Sequence, residues 1–240
     1  MKKIIYGYHA VKSGLAKKSG NYDSLYVQKS CNKKNSEIID LARNLGVPVK
    51  LLSSEELNDI TGNSVHQGLC LSLKNNLVMP SLDELLSQKQ DGLKLLILDG
   101  VVDPQNLGSC LRSAATFSFD AIIVPKNNAV HVNATVRKVA SGAAEIVPVF
   151  VVSNLVRTLT SLKSKGIWLY GFAENSSCYL PDVDFANNTG LVMGGEEKGI
   201  RKLVRENCDY TVQIPTASTF STLNVAVAAA IAMYAAVGSK

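Results

Sequence analysis

Six short, nearly continuous apolar runs in the later part of this 240-residue chain constrain its fold more than any other feature. They lie at 93–98, 121–124, 147–152, 167–171, 191–193 and 212–214, and stretches with helical spacing at 106–117, 133–143, 154–165 and 200–207 separate several of them. A run that is apolar at every position suits a strand buried on both faces, as in a parallel sheet. The alternation of such strands with helices predicts an α/β domain with a mainly parallel sheet.

The first 75 residues predict a smaller alternating α/β unit. Its strands are expected at 25–27, 47–52 and 69–73, its helices at 11–18 and 38–45, and an S-x-x-E box at 53–56 should open a third helix. The next segment, 76–91, is polar and turn-prone, with a possible short helix around Leu82, Leu85 and Leu86. We therefore expect a domain at 1–75, a linker at 76–91 and a second domain at 92–240.

The last predicted helix, 221–237, is apolar on nearly all sides, which is typical of a buried helix. Burial under the rest of the domain and burial in a dimer interface are both open at this point. The longest apolar run, 225–237, has thirteen residues and is short of the roughly 20 needed to span a bilayer. No membrane association is therefore expected.

Composition and cysteine usage narrow the class of protein. Apolar residues make up 46% and charged residues 19%, as in globular proteins, and the net charge of +5 permits a polyanionic partner without demanding one. The five cysteines form no C-x-x-C pair, so neither a structural zinc site nor a disulfide framework is expected. Reduced thiols and an N-terminus without the apolar stretch of a signal peptide favour a cytoplasmic location.

Two polar segments follow predicted strands, at the carboxyl edge where open α/β sheets bind ligands. Residues 99–115 place Asn106 and Arg112 at the start of a helix, although a plain turn and helix start explains this segment equally well. Residues 191–200 form a glycine-rich turn that frees backbone N–H groups for a ligand. This turn has neither the P-loop nor the G-x-G-x-x-G pattern, and an ordinary strand–turn–helix corner is the alternative.

A third segment, 209–230, runs from a strand through a hydroxyl-rich loop into the last helix. Thr222 and Asn224 lie at the mouth of that helix, where buried polar groups need partners. Helix capping by Ser221 or Thr222 is a simpler explanation that is compatible with a functional one.

In order and spacing, the three segments resemble the motifs of the SpoU family of RNA ribose 2′-O-methyltransferases, within the SPOUT superfamily. The family patterns are D-x-x-x-D-P-x-N-x-G-x-x-x-R-x-A, G-x-E-x-x-G and I-P-x-x-x-x-x-S-L-N. The chain matches them at Asp99, Asp103, Pro104, Asn106, Gly108, Arg112 and Ala114, at Gly194, Glu196 and Gly199, and at Ile214, Pro215, Leu223 and Asn224. It departs at Thr222, where the family usually has Ser, and at Thr216 and Ser218, where Met and Gly are common.

The resemblance extends over the whole chain. Residues 5–11 and His66-Gln67-Gly68 resemble the small N-terminal domain of members that act on large-subunit ribosomal RNA, a domain similar to ribosomal protein L30e. The resemblance therefore implies a C-terminal SPOUT domain with a mainly parallel sheet and a trefoil knot, preceded by a small L30e-like α/β domain. It also favours a guanosine of 23S rRNA as the substrate.

The resemblance further implies S-adenosylmethionine as the cofactor, held by the loops of the knot. The implied cofactor-binding residues are Gly194, Ile214 and Leu223, through their backbones, together with Gly199 and Pro215. Family members dimerise through this region, which implies a homodimer, and no metal is required.

The implied reaction is an SN2 transfer of a methyl group to a ribose 2′-OH, a poor nucleophile that must lose its proton or be polarised. The implied catalytic residues are Arg112, Asn106, Glu196, Thr222 and Asn224. A proposal for the family makes the arginine the base, but a guanidinium with a pKa above about 12 resists deprotonation. A phosphate clamp that stabilises charge developing on the ribose oxygen suits Arg112 better, with the other four residues holding it and the nucleotide in place.

Three other functions are weighed against this one. A tRNA 2′-O-methyltransferase shares the chemistry, a catalytically silent RNA-binding ribosome assembly factor shares the fold, and a nucleotide hydrolase would need a phosphate loop that the chain lacks. RNA contacts are expected from an N-terminal set of lysines and tyrosines, unless these form an ordinary solvated face and part of the core. The set consists of Lys12, Lys17, Lys18, Lys29, Lys33 and Lys34 with Tyr6, Tyr8 and Tyr22.

Overall fold

A computed structural model describes residues 4–16, 22–30, 35–62, 66–74, 81–176, 178–217 and 222–238. The chain divides into two compact units, Met1–Met79 with Ser141–Ile146, and Pro80–Ala140 with Val147–Lys240. Several residues singled out above lie outside the described part of the chain: Lys17, Lys18, Lys33, Lys34, Ser218 and Ser221.

The first unit contains a four-stranded mixed sheet with the order β1-β4-β2-β3. Its elements are β1 (Ile4–Tyr6), α1 (Tyr8–Ala16), β2 (Tyr22–Gln28), α2 (Ser36–Asn44), β3 (Val49–Leu52), α3 (Ser54–Thr61) and β4 (Leu69–Leu73). Strand β4 runs antiparallel to β1 and β2, and β2 runs parallel to β3. The predicted capping box is confirmed, because Ser53 accepts a bond from Glu56 N at 3.2 Å and donates its own N–H to Glu56 Oε2 at 2.6 Å.

One tyrosine of the expected RNA-contacting set lies in the core of this unit. Tyr22 is buried among Leu25, Leu71 and neighbouring apolar residues, and its hydroxyl donates a hydrogen bond to Gly14 O at 2.7 Å. The expectation that Tyr22 stacks on RNA is therefore wrong, because its ring completes the core. Tyr8 keeps a partly exposed ring and donates its hydroxyl hydrogen to Glu37 Oε2 at 2.8 Å.

The second unit contains a seven-stranded parallel sheet with the order β7-β6-β5-β10-β8-β11-β9, which confirms the predicted fold class. Its elements are α4 (Leu82–Gln88), β5 (Lys94–Asp99), α5 (Pro104–Thr116), β6 (Ala121–Pro125), α6 (Ala134–Ala140), β7 (Val149–Val152), α7 (Leu155–Ser164), β8 (Trp168–Phe172), β9 (Cys178–Tyr179), β10 (Thr189–Gly194), α8 (Lys202–Glu206), β11 (Tyr210–Gln213) and α9 (Val225–Gly238). The trefoil knot that the resemblance implies stays a prediction.

Helices cover both faces of this sheet, as the continuous apolar strands predict. On one face, Leu95 and Ile97 of β5 belong to the same buried cluster as Leu159 and Leu162 of α7. Helix α9 buries Ala229, Ala232 and Met233, and its carboxyl end accepts a hydrogen bond from Lys94 Nζ at Ala236 O, 3.0 Å away. In the described part of the chain, no helix is both long and apolar enough to cross a membrane.

The start of α9 differs from the prediction. The helix begins at Val225, and Thr222 lies before it in an irregular segment. The side chain of Asn224 accepts hydrogen bonds from Ala226 N at 2.9 Å and Val227 N at 3.4 Å, so Asn224 caps the helix. The alternative explanation that Thr222 caps the helix is therefore wrong, because Asn224, closer to the first turn, accepts from those N–H groups.

Candidate active site

Two central strands bring the first and second sequence motifs together at the carboxyl edge of the sheet. Strands β5 and β10 pair so that Asp99 lies opposite Gly194, and Gly195 N donates a hydrogen bond to Asp99 O at 2.9 Å. A Cβ atom on Gly195 would lie only 2.4 Å from Gly100 O. The loops after the two strands are therefore in direct backbone contact.

The glycines of the second motif make its loop possible. Gly199 N donates to Gly195 O at 2.9 Å and closes the turn, with Gly199 in the left-handed region at φ +60°. A Cβ atom on Gly194 would lie 1.9 Å from the carbonyl carbon of Gly199, which no side chain tolerates. Glycine at 194 is thus a steric requirement, whereas glycine at 199 is a conformational one.

A chain of side-chain hydrogen bonds links the three motifs. Asn106 lies in the first turn of α5, only 7% exposed, and its Nδ2 donates to the Glu196 carboxylate. Its Oδ1 accepts a hydrogen bond from Asn224 Nδ2 at 2.9 Å. We call Glu196, Asn106 and Asn224 the amide relay. The structure thus brings together three of the five predicted catalytic residues.

Arg112, the fourth predicted catalytic residue, lies farther along α5 and is exposed. Its guanidinium makes no hydrogen bond or ion pair with the residues that the structure describes, and it does not line the cavity described below. Thr222, the fifth, is also exposed. Arg112 therefore presents its guanidinium donors to solvent from the same helix that carries Asn106.

A cavity of about 430 Å³ opens beside the second and third motifs. This volume is within the range of small-molecule sites. The predicted residues that line it are Gly194, Glu196, Gly199, Ile214, Thr222 and Leu223, and the other described lining residues include Met193, Glu197, Lys198, Val212, Thr216, Val225 and Ala228. Pro215 is exposed and does not line it in the described part of the chain.

One wall of this cavity comes from residues 172–175, at the carboxyl end of β8, which the sequence interpretation missed. Arg205 Nη2 fixes this wall by donating to Asn175 O at 3.0 Å. The wall reaches the site because β8 lies between β10 and β11 in the sheet. Only the strand order predicts that residues 172–175 reach the cavity, and local sequence patterns do not reveal the strand order.

A buried ion pair beside the cavity was also missed. The Asp99 carboxylate is fully enclosed and accepts hydrogen bonds from Arg201 N at 2.9 Å and Arg201 Nε at 2.8 Å. Asp99 belongs to the first motif, but nothing in the sequence pointed to its partner. Arg201 directly follows the second motif's turn, so it joins the two loops a second time.

The thiols near the site are poor nucleophiles. Burial, with a smaller contribution from the nearby Glu196, raises the pKa of Cys110, one turn after Asn106, to about 12. Burial also raises the pKa of Cys208 to about 12. The described residues hold no group of three or more histidine, cysteine or acidic side chains that would suit a metal ion.

Comparison with known proteins gives two family matches, one in each part of the chain. Residues 94–234 match the family described as SpoU rRNA Methylase, and residues 4–77 match the family described as RNA 2′-O ribose methyltransferase substrate binding. The 23S rRNA (guanosine-2′-O-)-methyltransferase RlmB of Coxiella burnetii is 41% identical over 97% of this chain and 94% of its own length. RlmB of Shewanella oneidensis is 41% identical over 100% of this chain and 99% of its own.

A solved structure has the same fold. The SpoU methyltransferase AviRb from Streptomyces viridochromogenes, in complex with AdoMet, superposes with a TM-score of 0.70. It is 23% identical, and the match covers 99% of this chain and 90% of that one.

Proposed function

The chain belongs to the SpoU rRNA methylase family and is an S-adenosylmethionine-dependent RNA ribose 2′-O-methyltransferase, and we propose that its substrate is a guanosine of 23S rRNA. The observation that carries the proposal is similarity at about 40% identity over nearly the full length, in both units, to enzymes named for that reaction. The tRNA alternative is less well supported, because the relatives that match 97–100% of this chain are named for 23S rRNA.

The cavity suits S-adenosylmethionine. Its apolar lining residues, among them Met193, Val225 and Ala228, suit contact with a purine, and Gly194 and Ile214 also line it. Three acidic residues and two basic ones line it, which suits a ligand that carries a carboxylate as well as a sulfonium and an ammonium group. They are Glu174, Glu196 and Glu197, with Lys198 and Arg205. We assign Gly194, Ile214 and Leu223 to cofactor binding and give Gly199 and Pro215 the role of shaping the loops. The bound cofactor supplies an electrophilic methyl group.

Arg112 is assigned to the ribose and its phosphates. A guanidinium remains protonated, so it stabilises negative charge that develops on the 2′-oxygen and orients the nucleotide by charge-assisted hydrogen bonds. Its donors have no partner among the described residues, so they are available to the substrate. The amide relay and the Thr222 hydroxyl keep the surrounding loops and the nucleotide in place.

We also propose a homodimer formed through α9. Val227, Ile231 and Tyr234 follow one another at helical spacing and are 48%, 36% and 67% exposed. Phe117 packs edge-to-face on Tyr234, with ring centroids 6.1 Å apart, and extends this apolar stripe. Contiguous exposed apolar surface of this kind marks interaction sites, and a second copy of the same helix is an occupant of matching chemistry.

Transfer of labelled methyl groups tests the proposed substrate. The purified chain is incubated with labelled S-adenosylmethionine and unmodified 23S rRNA, 16S rRNA or tRNA, and 2′-O-methyl positions are then mapped. Methylation of one guanosine in 23S rRNA is the expected result. Transfer to tRNA alone would replace the proposed substrate. RNA binding without transfer would instead support the silent assembly factor.

A further inference from the structure

Arg201 is the cation that neutralises the enclosed carboxylate of Asp99. Its backbone N–H donates to Oδ2 at 2.9 Å, its Nε donates to Oδ1 at 2.8 Å, and its Nη2 lies 2.7 Å from the same oxygen. The Asp99 side chain is 0% exposed, whereas the Arg201 side chain is 56% exposed. The partly exposed Arg201 side chain thus neutralises a carboxylate that is buried.

Asp99 binds both ends of the loop 195–201, and this ion pair is one of the two connections. Its carbonyl oxygen accepts a hydrogen bond from Gly195 N at the start of the loop, and its carboxylate binds Arg201 at the end. Asp99 is also the last residue of β5, from which the chain continues to Asp103 and α5. Asp99 therefore joins the two loops of the site, through its backbone carbonyl at one end of the loop and through its carboxylate at the other.

The loop held in this way carries groups that the reaction needs. Gly194, Glu196 and Gly199 line the cavity, and Glu196 accepts the hydrogen bond from Asn106. Arg201 does not line the cavity, so it has no direct contact with a ligand there. Any effect of Arg201 on the cofactor must therefore pass through the loop.

We propose that Arg201 is a positioning residue, which clamps Asp99 so that the loop 195–200 keeps the shape that binds the cofactor and keeps Glu196 on Asn106. The proposal rests on the cofactor-binding role proposed for the cavity. The half-exposed guanidinium suggests one competing role, a contact with an RNA phosphate, which would act on RNA affinity instead. The other competing role is structural support without effect on the loop.

Two mild substitutions separate these roles. Arg201→Lys keeps a positive charge for a phosphate but loses the planar fork that binds Asp99. Asp99→Asn keeps the size of the side chain and removes its charge, at a position too enclosed to touch RNA. The Kd for S-adenosylmethionine is measured by calorimetry without RNA, alongside kcat, the KM for RNA and the Tm.

Both single variants are expected to raise the cofactor Kd and lower kcat, each by roughly tenfold, with an unchanged KM for RNA. The double variant should be no worse than the more impaired single variant, since both substitutions break one clamp. Lys202→Ala is the matched control, because this neighbouring side chain is 88% exposed and makes only a 3.9 Å contact with Glu206. It should leave the cofactor Kd unchanged.

An unchanged cofactor Kd in the folded Arg201→Lys and Asp99→Asn variants would overturn the proposal. A KM for RNA that rises in Arg201→Ala and is restored in Arg201→Lys, with the cofactor Kd unchanged in both, would assign Arg201 to the RNA. A lower Tm with unchanged Kd and kcat would leave only structural support. The calorimetry does not depend on methylation. A wild-type chain that binds the cofactor without methylating 23S rRNA would therefore contradict the proposed substrate and leave the clamp testable.

Discussion

Asn224 donates a hydrogen bond from its Nδ2 to Asn106 Oδ1 at 2.9 Å, although 118 residues separate the two positions. The same Asn106 amide donates from its Nδ2 to Glu196, and Asn224 Oδ1 caps α9. The Nδ2 donor and the Oδ1 acceptor of both asparagines therefore have hydrogen-bond partners. A substitution in one motif is expected to disturb the other two, because each partner is left with an unsatisfied polar group.

Asn224→Ala should destabilise the protein and slow methyl transfer. Loss of the helix cap costs about 1 kcal/mol. The Asn106 Oδ1 left without its donor costs about 1–3 kcal/mol more. The sum is measured as the free energy of unfolding in urea. The matched control is Asn154→Ala, since Asn154 caps α7 by accepting from Arg157 N at 3.0 Å and takes no part in the relay.

The control should lose only the cap contribution and keep full methyl-transfer activity. Equal losses of stability and activity in the two variants would show that the amide relay has no role of its own.

Arg112→Ala should lower kcat about 100-fold or more if the guanidinium stabilises charge in the transition state. The Kd for S-adenosylmethionine should not change, because Arg112 does not line the cavity. Arg157→Ala removes another exposed arginine, on α7 and remote in sequence from the motifs, and should leave both values unchanged. Turnover near the wild-type rate in Arg112→Ala would remove this residue from the catalytic assignment.

The sequence predicts those parts of the site that depend on local patterns. Continuous apolar runs predict the parallel sheet and the edge at which its loops meet. The grouping of Asn106, Glu196 and Asn224 in one site comes from the resemblance to the SpoU family. The short strands β1 and β9 were missed, because two or three residues carry no clear periodicity.

Partners that depend on tertiary structure were not predictable. Nothing in the sequence pairs Asp99 with Arg201, since the bond joins positions 102 residues apart and only Asp99 belongs to a matched motif position. A tyrosine close in sequence to several lysines suggests stacking on an RNA base, which is why Tyr22 is predicted to contact RNA. In the structure, its hydroxyl donates a hydrogen bond to Gly14 O inside the core. Local composition does not distinguish a surface aromatic side chain from a core one.

Two glycine substitutions should differ in severity for a physical reason. Gly194→Ala places a Cβ atom 1.9 Å from the Gly199 carbonyl carbon, so the loop must move and cofactor binding should be lost. Gly199→Ala meets nothing within 4 Å and should cost only about 1–2 kcal/mol, for a left-handed alanine. Gly238→Ala, also free of contacts, is the control. For all three variants, the cofactor Kd is measured by calorimetry and the free energy of unfolding in urea. Similar cofactor affinities in Gly194→Ala and Gly199→Ala would contradict this reasoning.

His66 should make the first unit less stable in acid. Burial lowers its pKa from the ordinary value, and the neutral ring accepts from Gly68 N at Nδ1, 3.0 Å away, while Nε2 lies 3.1 Å from Asn58 Oδ1. Because the folded-state pKa is below the unfolded one, His66 stabilises the fold above about pH 6.5. That contribution is lost as the pH falls from there through the lowered pKa.

The Tm at pH 7.5 and at pH 5.5 measures this effect. The decrease between the two values should be larger in the wild type than in His66→Gln, whose side chain does not titrate. All other titrating groups are common to both proteins and cancel in the comparison. Equal decreases would show that His66 does not contribute to the acid sensitivity.

Ile231→Glu should convert a homodimer into a monomer. Ile231 lies between Val227 and Tyr234 on the exposed stripe of α9, so a carboxylate there would have to be buried against its symmetry-related copy. Leu203→Glu is the matched control, because Leu203 is 65% exposed on α8, outside the stripe. Sedimentation equilibrium at several concentrations should give a dimer for the wild type and for Leu203→Glu. A wild-type monomer, or an Ile231→Glu variant that stays dimeric, would exclude α9 as the interface.

If the partner subunit completes the site, the Ile231→Glu monomer should also lose methyl transfer. Full activity in the monomer would show that one copy carries the whole site.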